Sequence, residues 1–173
     1  MKLYNLPLIL FYNSNSMTTS GYVPFDSRFN TRISGHQYYT NWVYWSFNIA
    51  SKQPWTQENQ PLCIDGEMDV CPRYDDYYQR PNYFRFDISY SQGYYDTQWS
   101  NAIDLARAGT VKIVMISTWN EYHERTQIEP CKDLTAAYSS DYIYQKTKAY
   151  ITELKSPSSS PTPQIWLLIV SAR

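Results

Sequence analysis

The sequence lacks an excess of charge of either sign: 15 Lys and Arg stand against 16 Asp and Glu, a formal net charge of -1. No field of one sign is therefore available to gather a phosphate backbone or an anionic lipid surface, and nucleic acid is excluded as an expected partner. Histidine is nearly absent, with only His36 and His123, so a multi-histidine metal site cannot be built. The three cysteines, Cys63, Cys71 and Cys131, form no CxxC pattern, and their odd number gives no disulfide framework, although Cys63 and Cys71 could pair in an oxidising compartment. No Asn-x-Ser/Thr acceptor occurs, so glycosylation gives no hint of compartment. With 173 residues the chain suits one domain and is too short for a complete eight-stranded α/β barrel of about 250 residues. What is abundant is aromatic: 17% of the chain, with 18 Tyr and 6 Trp. Rings with polar tips suit stacking on sugar faces as well as packing in a core.

Long apolar runs are also missing. Leu8-Ile9-Leu10-Phe11-Tyr12 is too short and too interrupted for a membrane span, and it reads as a buried strand instead of a signal peptide. Near the other end, 156–164 is a Ser/Pro/Thr-rich linker and 165–173 an apolar tail, Ile165-Trp166-Leu167-Leu168-Ile169-Val170 and three further residues. A stalk leading into an apolar run is the pattern of a surface-anchored, extracellular protein, but a span needs about 20 apolar residues. The run therefore reads as an incomplete anchor or as a disordered tail with a sticky end.

Residues 1–155 read as one α/β domain. Strand candidates are Leu8–Tyr12, Trp42–Phe47, Met68–Cys71 and Lys112–Ser117, and the segment between Ser14 and Gly35 reads as loop with a short helix at most. Lys112–Ser117 is the clearest, because a continuous apolar run follows the helix stop Ala108-Gly109-Thr110, the pattern of a strand buried on both faces of a parallel sheet. Before it, Tyr95, Trp99, Ala102, Ile103 and Ala106 recur at helical spacing, with Asp96 and Asp104 on the outer face. After it, Asp141 to Leu154 reads as a helix on Tyr142, Gln145, Lys146, Ala149, Tyr150 and Leu154, with Asp141 as N-cap.

Directly after the clearest strand comes Thr118-Trp119-Asn120-Glu121-Tyr122-His123-Glu124-Arg125-Thr126-Gln127-Ile128-Glu129-Pro130. In α/β barrels the reacting groups sit on loops at the C-terminal ends of strands, and two carboxylates beside rings can supply an acid and a base to a glycosidic bond. Glu121 and Glu124 are the candidates, and two neighbouring carboxylates ionise unequally, so one can keep its proton at working pH. Trp119 offers a sugar platform or barrel packing. Asn120 and His123 could bond the sugar, orient the carboxylates or hold the loop, and Glu129 before Pro130 ties down the turn. Asp75 and Asp76 read as a helix cap or a link to Arg80.

The segment Ile116 to Glu129 resembles the ITSFNEWHEGTQIE signature of glycoside hydrolase family 99, the endo-α-mannosidases and endo-α-mannanases. Val70-Cys71-Pro72-Arg73-Tyr74-Asp75-Asp76 with Arg80-Pro81 resembles that family's PGY-x-D-x-x-x-RP segment, Gly93 to Trp99 its GKYYETAL helix start, and Val43 to Phe47, more loosely, its FYTYF strand. The resemblance implies a partial (β/α)8 TIM-type barrel, roughly the last four strand-helix units, with the signature on the eighth strand. It implies endo-acting, retaining hydrolysis of an α-mannoside through the substrate's own 2-hydroxyl, with Glu121 as the base that assists the hydroxyl and Glu124 as the general acid. Tyr44 matches a substrate-contacting tyrosine, and one of Tyr74, Tyr77 and Tyr78 is expected to touch sugar, Tyr74 first. No cofactor and no metal are implied, although a carboxylate-rich rim could hold calcium.

Three departures stand out. Arg125 and Arg73 occupy positions that are glycine in the family, where glycine allows unusual torsions or close approach of a ligand. Two guanidinium groups on a sugar rim could instead recognise an acidic or sulfated substituent. The first four strands are also missing, so the half-barrel is expected to pair with itself, to recruit a partner chain that supplies the first half, or to be partly unfolded. A non-catalytic carbohydrate-binding or surface protein derived from such a barrel, and a protein of polysaccharide assembly, are the rival readings.

Overall fold

A computed structural model describes residues 2–3, 5–12, 26–34, 66–75, 87–88, 93–132, 138–156 and 165–170. The chain is mixed α/β. Its strands are β1 (Lys2–Leu3), β2 (Leu6–Tyr12), β3 (Asn30–Ser34), β4 (Glu67–Val70), β5 (Tyr74–Asp75), β6 (Asp87–Ile88), β7 (Ile113–Ser117) and β8 (Trp166–Val170), and its helices are α1 (Tyr94–Arg107) and α2 (Tyr142–Lys155). Three sheets are present among the described residues: β1-β2-β3, β4-β7-β8 and the β5-β6 ribbon. No described helix is long and apolar enough to cross a membrane.

The sheet that carries the signature is wholly parallel: β4 pairs with β7, and β7 with β8. In this sequential order, each crossover of right-handed sense lays its helix on the same side. The side chains agree. Met68 and Val70 of β4, Val114 and Ile116 of β7 and Leu167 of β8 join Tyr95, Trp99, Ala102, Ile103 and Ala106 of α1 and Ile143 and Leu154 of α2 in one cluster. Trp99, fully buried, stacks on Tyr150 with ring centroids 5.5 Å apart, and Tyr95 meets it edge-on at 6.2 Å.

Local chemistry explains where α1 begins and ends. Gly93 takes a left-handed φ of 72° at its start. At its end, Gly109 takes φ 76° while the Gly109 amide donates to the Ala106 carbonyl and the Thr110 amide to the Leu105 carbonyl. That is the Schellman closure, which only glycine enters without strain. Asp96 and Asp104 face outward as expected, and Asp96 ties α1 to α2 by accepting from Lys146 Nζ at 2.9 Å and from the Tyr150 hydroxyl at 2.7 Å.

Several expectations are corrected. The apolar run 165–170 is neither anchor nor disordered tail: residues 166–170 form β8, because the open edge of β7 satisfies their backbone groups. The segment read as loop before Gly35 contains β3, which pairs in parallel with β2 from Leu8–Asn30 to Tyr12–Ser34. The N-terminal strand exists but is not buried where it begins, with Leu6 exposed and Leu8 and Ile9 half-buried. The buried stripe of α2 is Ile143, Thr147 and Leu154, while Gln145 and Ala149 are exposed. Asp141 holds the N-cap position of α2 without capping it: its carboxylate accepts from Ser139 Oγ and Gln145 Nε2 instead. Among the described residues β2 and β3 belong to a different sheet from β4 and β7. The Trp42–Phe47 strand that would join them lies outside the described residues.

Candidate functional site

Two loops leave the same end of the parallel sheet. One follows β4 through Cys71, Pro72 and Arg73 into β5, and the other follows β7 from Thr118 to Cys131. The Ser117–Thr118 peptide bond between β7 and its loop is cis.

The second loop folds back upon itself. The Thr118 amide donates to the Thr126 carbonyl at 3.1 Å, and the Ile128 and Glu129 amides donate to the Trp119 carbonyl at 3.2 and 2.9 Å. The Thr118 and Thr126 hydroxyls share a hydrogen bond at 2.8 Å, and Thr118 Oγ1 accepts the Glu121 amide at 3.1 Å. The Thr126 amide returns to the Glu121 carbonyl at 3.2 Å. Residues 121–125 are thereby held as a turn at the loop's tip. Glu121 and Glu124 are half-buried there, whereas Tyr122 and His123 between them are exposed. Glu129 does tie down the turn, accepting a hydrogen bond from the Tyr122 hydroxyl. That bond to a carboxylate pushes the Tyr122 pKa up to about 12.

The two loops are stitched together at Glu124 and Arg125. The Asp75 amide donates to the Glu124 carbonyl at 2.8 Å, Arg73 Nε donates to the Arg125 carbonyl at 2.7 Å, and Arg125 Nη1 lies 3.6 Å from Asp75 Oδ2. Arg125 takes φ 55°, the left-handed conformation. A glycine would enter it freely, and here an arginine is held in it by bonds from the neighbouring loop. Asp75, expected to cap a helix or pair with Arg80, pairs with Arg125. Arg73 is buried, 6% exposed. Both guanidinium groups thus engage the protein itself.

The other candidates are distributed unevenly. Trp119 packs against the apolar cluster and meets Tyr144 edge-on at 6.3 Å. Tyr74 is buried in β5 with 5% exposure. Asn120 is half-buried in the loop, its carbonyl accepting from the Tyr122 amide at 3.1 Å, and His123 is exposed. Tyr44, Tyr77 and Tyr78 lie outside the described residues. Cys71 is a free, fully buried thiol whose Sγ donates to the Arg73 carbonyl at 3.2 Å, and Cys63 lies outside the described residues. Burial, with Asp69 and Glu124 nearby, holds that thiol well above its usual range and keeps it protonated. Among the described residues no group of three or more metal-ligating side chains is assembled.

Three functional-looking residues escaped the sequence reading. Gln98 of α1 is buried and grips both sides of Cys71: its Oε1 accepts the Cys71 amide at 2.7 Å and its Nε2 donates to the Cys71 carbonyl at 3.2 Å. It continues the hydrogen-bond ladder at the end of β4 with a side chain. Glu67 and Asp69 of β4 are both 2% exposed, and Asp69 Oδ1 accepts from Ser117 Oγ of β7 at 2.9 Å. Burial first, and the charge of Asp69 second, hold the Glu67 carboxyl well above the usual range. The signal that could have revealed them is the alternation Glu67-Met68-Asp69-Val70: one face apolar and one acidic, in a strand whose register leaves neither face to solvent.

No family model matches the chain, and no curated protein matches it. Among solved structures it is similar to the GH99 endo-alpha-mannosidase from Bacteroides thetaiotaomicron, with 28% sequence identity over 53% of this chain and a TM-score of 0.41. The match spans 29% of that enzyme's chain, so the relationship to a glycoside hydrolase is distant and partial.

Proposed function

We propose that the chain is a glycoside hydrolase-like protein of the partial-barrel type, acting on α-mannoside-type glycans by endo cleavage with retention. The observation that carries this reading is the placement of the Glu121–Glu124 segment: it follows a buried parallel strand directly, with both carboxylate residues half-buried in a turn and the residues between them facing out. Rigid delivery of two acids from one strand end is what acid/base work on a glycosidic bond requires. In this scheme Glu121 takes the proton of the substrate's 2-hydroxyl as that oxygen attacks the anomeric carbon, and Glu124 protonates the departing glycosidic oxygen. Water then opens the cyclic intermediate with the two roles reversed, which returns the original anomeric configuration. Sugar contacts beyond this turn are assigned to a second copy or a partner chain completing the barrel.

The test is hydrolysis of an α-mannan oligosaccharide, with NMR of the first product anomer formed. Retention is expected, and Glu124→Gln is expected to lower the rate by about 10²–10⁴. No cleavage by the wild-type chain, alone or with a completing partner, overturns the reading.

A further inference from the structure

We propose that Arg73 is a positioning residue for Glu124, fixing from the neighbouring loop the direction in which that carboxyl points; this rests on the functional reading above. The argument begins at the end of β4. Gln98 pins both backbone groups of Cys71, and the Cys71 thiol holds the Arg73 carbonyl. The backbone that carries Arg73 therefore has little freedom. From that fixed origin the buried Arg73 side chain reaches across and donates from Nε to the Arg125 carbonyl, while the Asp75 amide holds the Glu124 carbonyl. Two successive carbonyls, one at Glu124 and one immediately after it, are thus anchored to a different strand.

Arg125 adopts a left-handed φ that its side chain disfavours. Left to itself, the turn would relax towards a commoner conformation and rotate the peptide that joins Glu124 to Arg125. The Arg73 bond opposes that rotation, so the Cα–Cβ direction of Glu124 is set through the backbone from the neighbouring loop. The guanidinium Nε–H has no counterpart in lysine, which keeps the charge but carries its donors as a compact ammonium at the end of a flexible stem. The chain thus has arginine at both positions, one adopting the turn conformation and the other stabilising it.

The experiment is the pH titration of the Glu124 carboxyl by carbon NMR in the full chain, assigned through loss of its signal in Glu124→Gln. It is run on the wild type, Arg73→Met and Arg73→Lys. Movement of the Glu124 midpoint by more than about half a pH unit in both variants supports the proposal. A midpoint that moves in Arg73→Met and is restored in Arg73→Lys shows that only charge matters and overturns it, as does a midpoint unmoved in both. Should the variants not fold, hydrogen exchange in the wild type decides: exchange of the Arg73 Nε–H well slower than that of an exposed arginine supports the clamp, and exchange at the exposed rate overturns it. These readouts need no turnover, so failure of mannan hydrolysis would remove the enzymatic reading and leave the titration result standing.

Discussion

The two faces of the β4-β7 pair are equally buried and chemically opposite. On the face under the helices lie Met68, Val70, Val114 and Ile116, all at 4% exposure or less. Alternation along the same two strands gives the other face Glu67, Asp69, Ile113, Met115 and Ser117, none above 2%. The first face gains from every ångström of apolar surface removed from water. The second holds two carboxyl groups away from water and compensates in part, through the Ser117–Asp69 hydrogen bond and by leaving Glu67 protonated. Burial alone therefore does not identify a core. An inner face that retains acids in spite of their desolvation is the face on which a functional interior would be built, and the signature loop begins one residue beyond Ser117.

That contrast can be broken from the apolar side with the largest effect. Trp99→Ala removes a fully buried ring stacked on Tyr150 and is expected to lower stability by about 3–5 kcal/mol in urea unfolding. Next comes Gln98→Leu, similar in size but unable to bond Cys71. It strands a buried amide and carbonyl at the strand end, with an expected loss of about 1–3 kcal/mol for each group left unpaired.

On the acidic face the sign reverses. Glu67 has its folded pKa raised above the ordinary 4.5, so below that pH both states are protonated and the group contributes nothing. Above it the unfolded chain ionises while the folded chain does not, and stability falls as pH rises until the folded group itself ionises. Glu67→Gln should remove that slope, matching the wild type at pH 4 and exceeding it in stability at pH 8. Unfolding curves at the two pH values check this, and a wild type whose excess over the variant grows with pH would contradict it. The smallest change is expected at Arg125→Gly. Relief of a left-handed arginine, worth about 1 kcal/mol, opposes loss of a half-buried ion pair at 3.6 Å, worth about 0.2–1 kcal/mol. The melting temperature should stay within a few degrees, rising if anything.

The elements with strong local signals were legible. β7, β4 and both helices announce themselves by apolar run, helical spacing and the Gly109 stop, and their boundaries differ by a residue or so from the expectation. β3 was not legible, because Asn30-Thr31-Arg32-Ile33-Ser34 has a single large apolar residue and owes its strand state to pairing with β2. β8 was hidden by its Ser/Pro lead-in, since nothing local says that a distant edge awaits it. In the site, the tie between Glu129 and Tyr122 follows the expectation for that turn. The roles of Arg73 and Gln98 were invisible because each depends on a backbone group brought from another element: Arg73 meets the carbonyl of Arg125, and Gln98 meets Cys71.

The position of β8 also bears on how the molecule is made. β7 is synthesised well before β8, with the whole of α2 between them, so a nascent chain leaving the ribosome presents the signature strand with one flank bare. At roughly 5–20 residues per second that interval lasts seconds, long compared with the collapse of a short chain. Chaperone capture, or zippering against another newborn copy, has that window in which to act, and the arrival of Trp166–Val170 closes it.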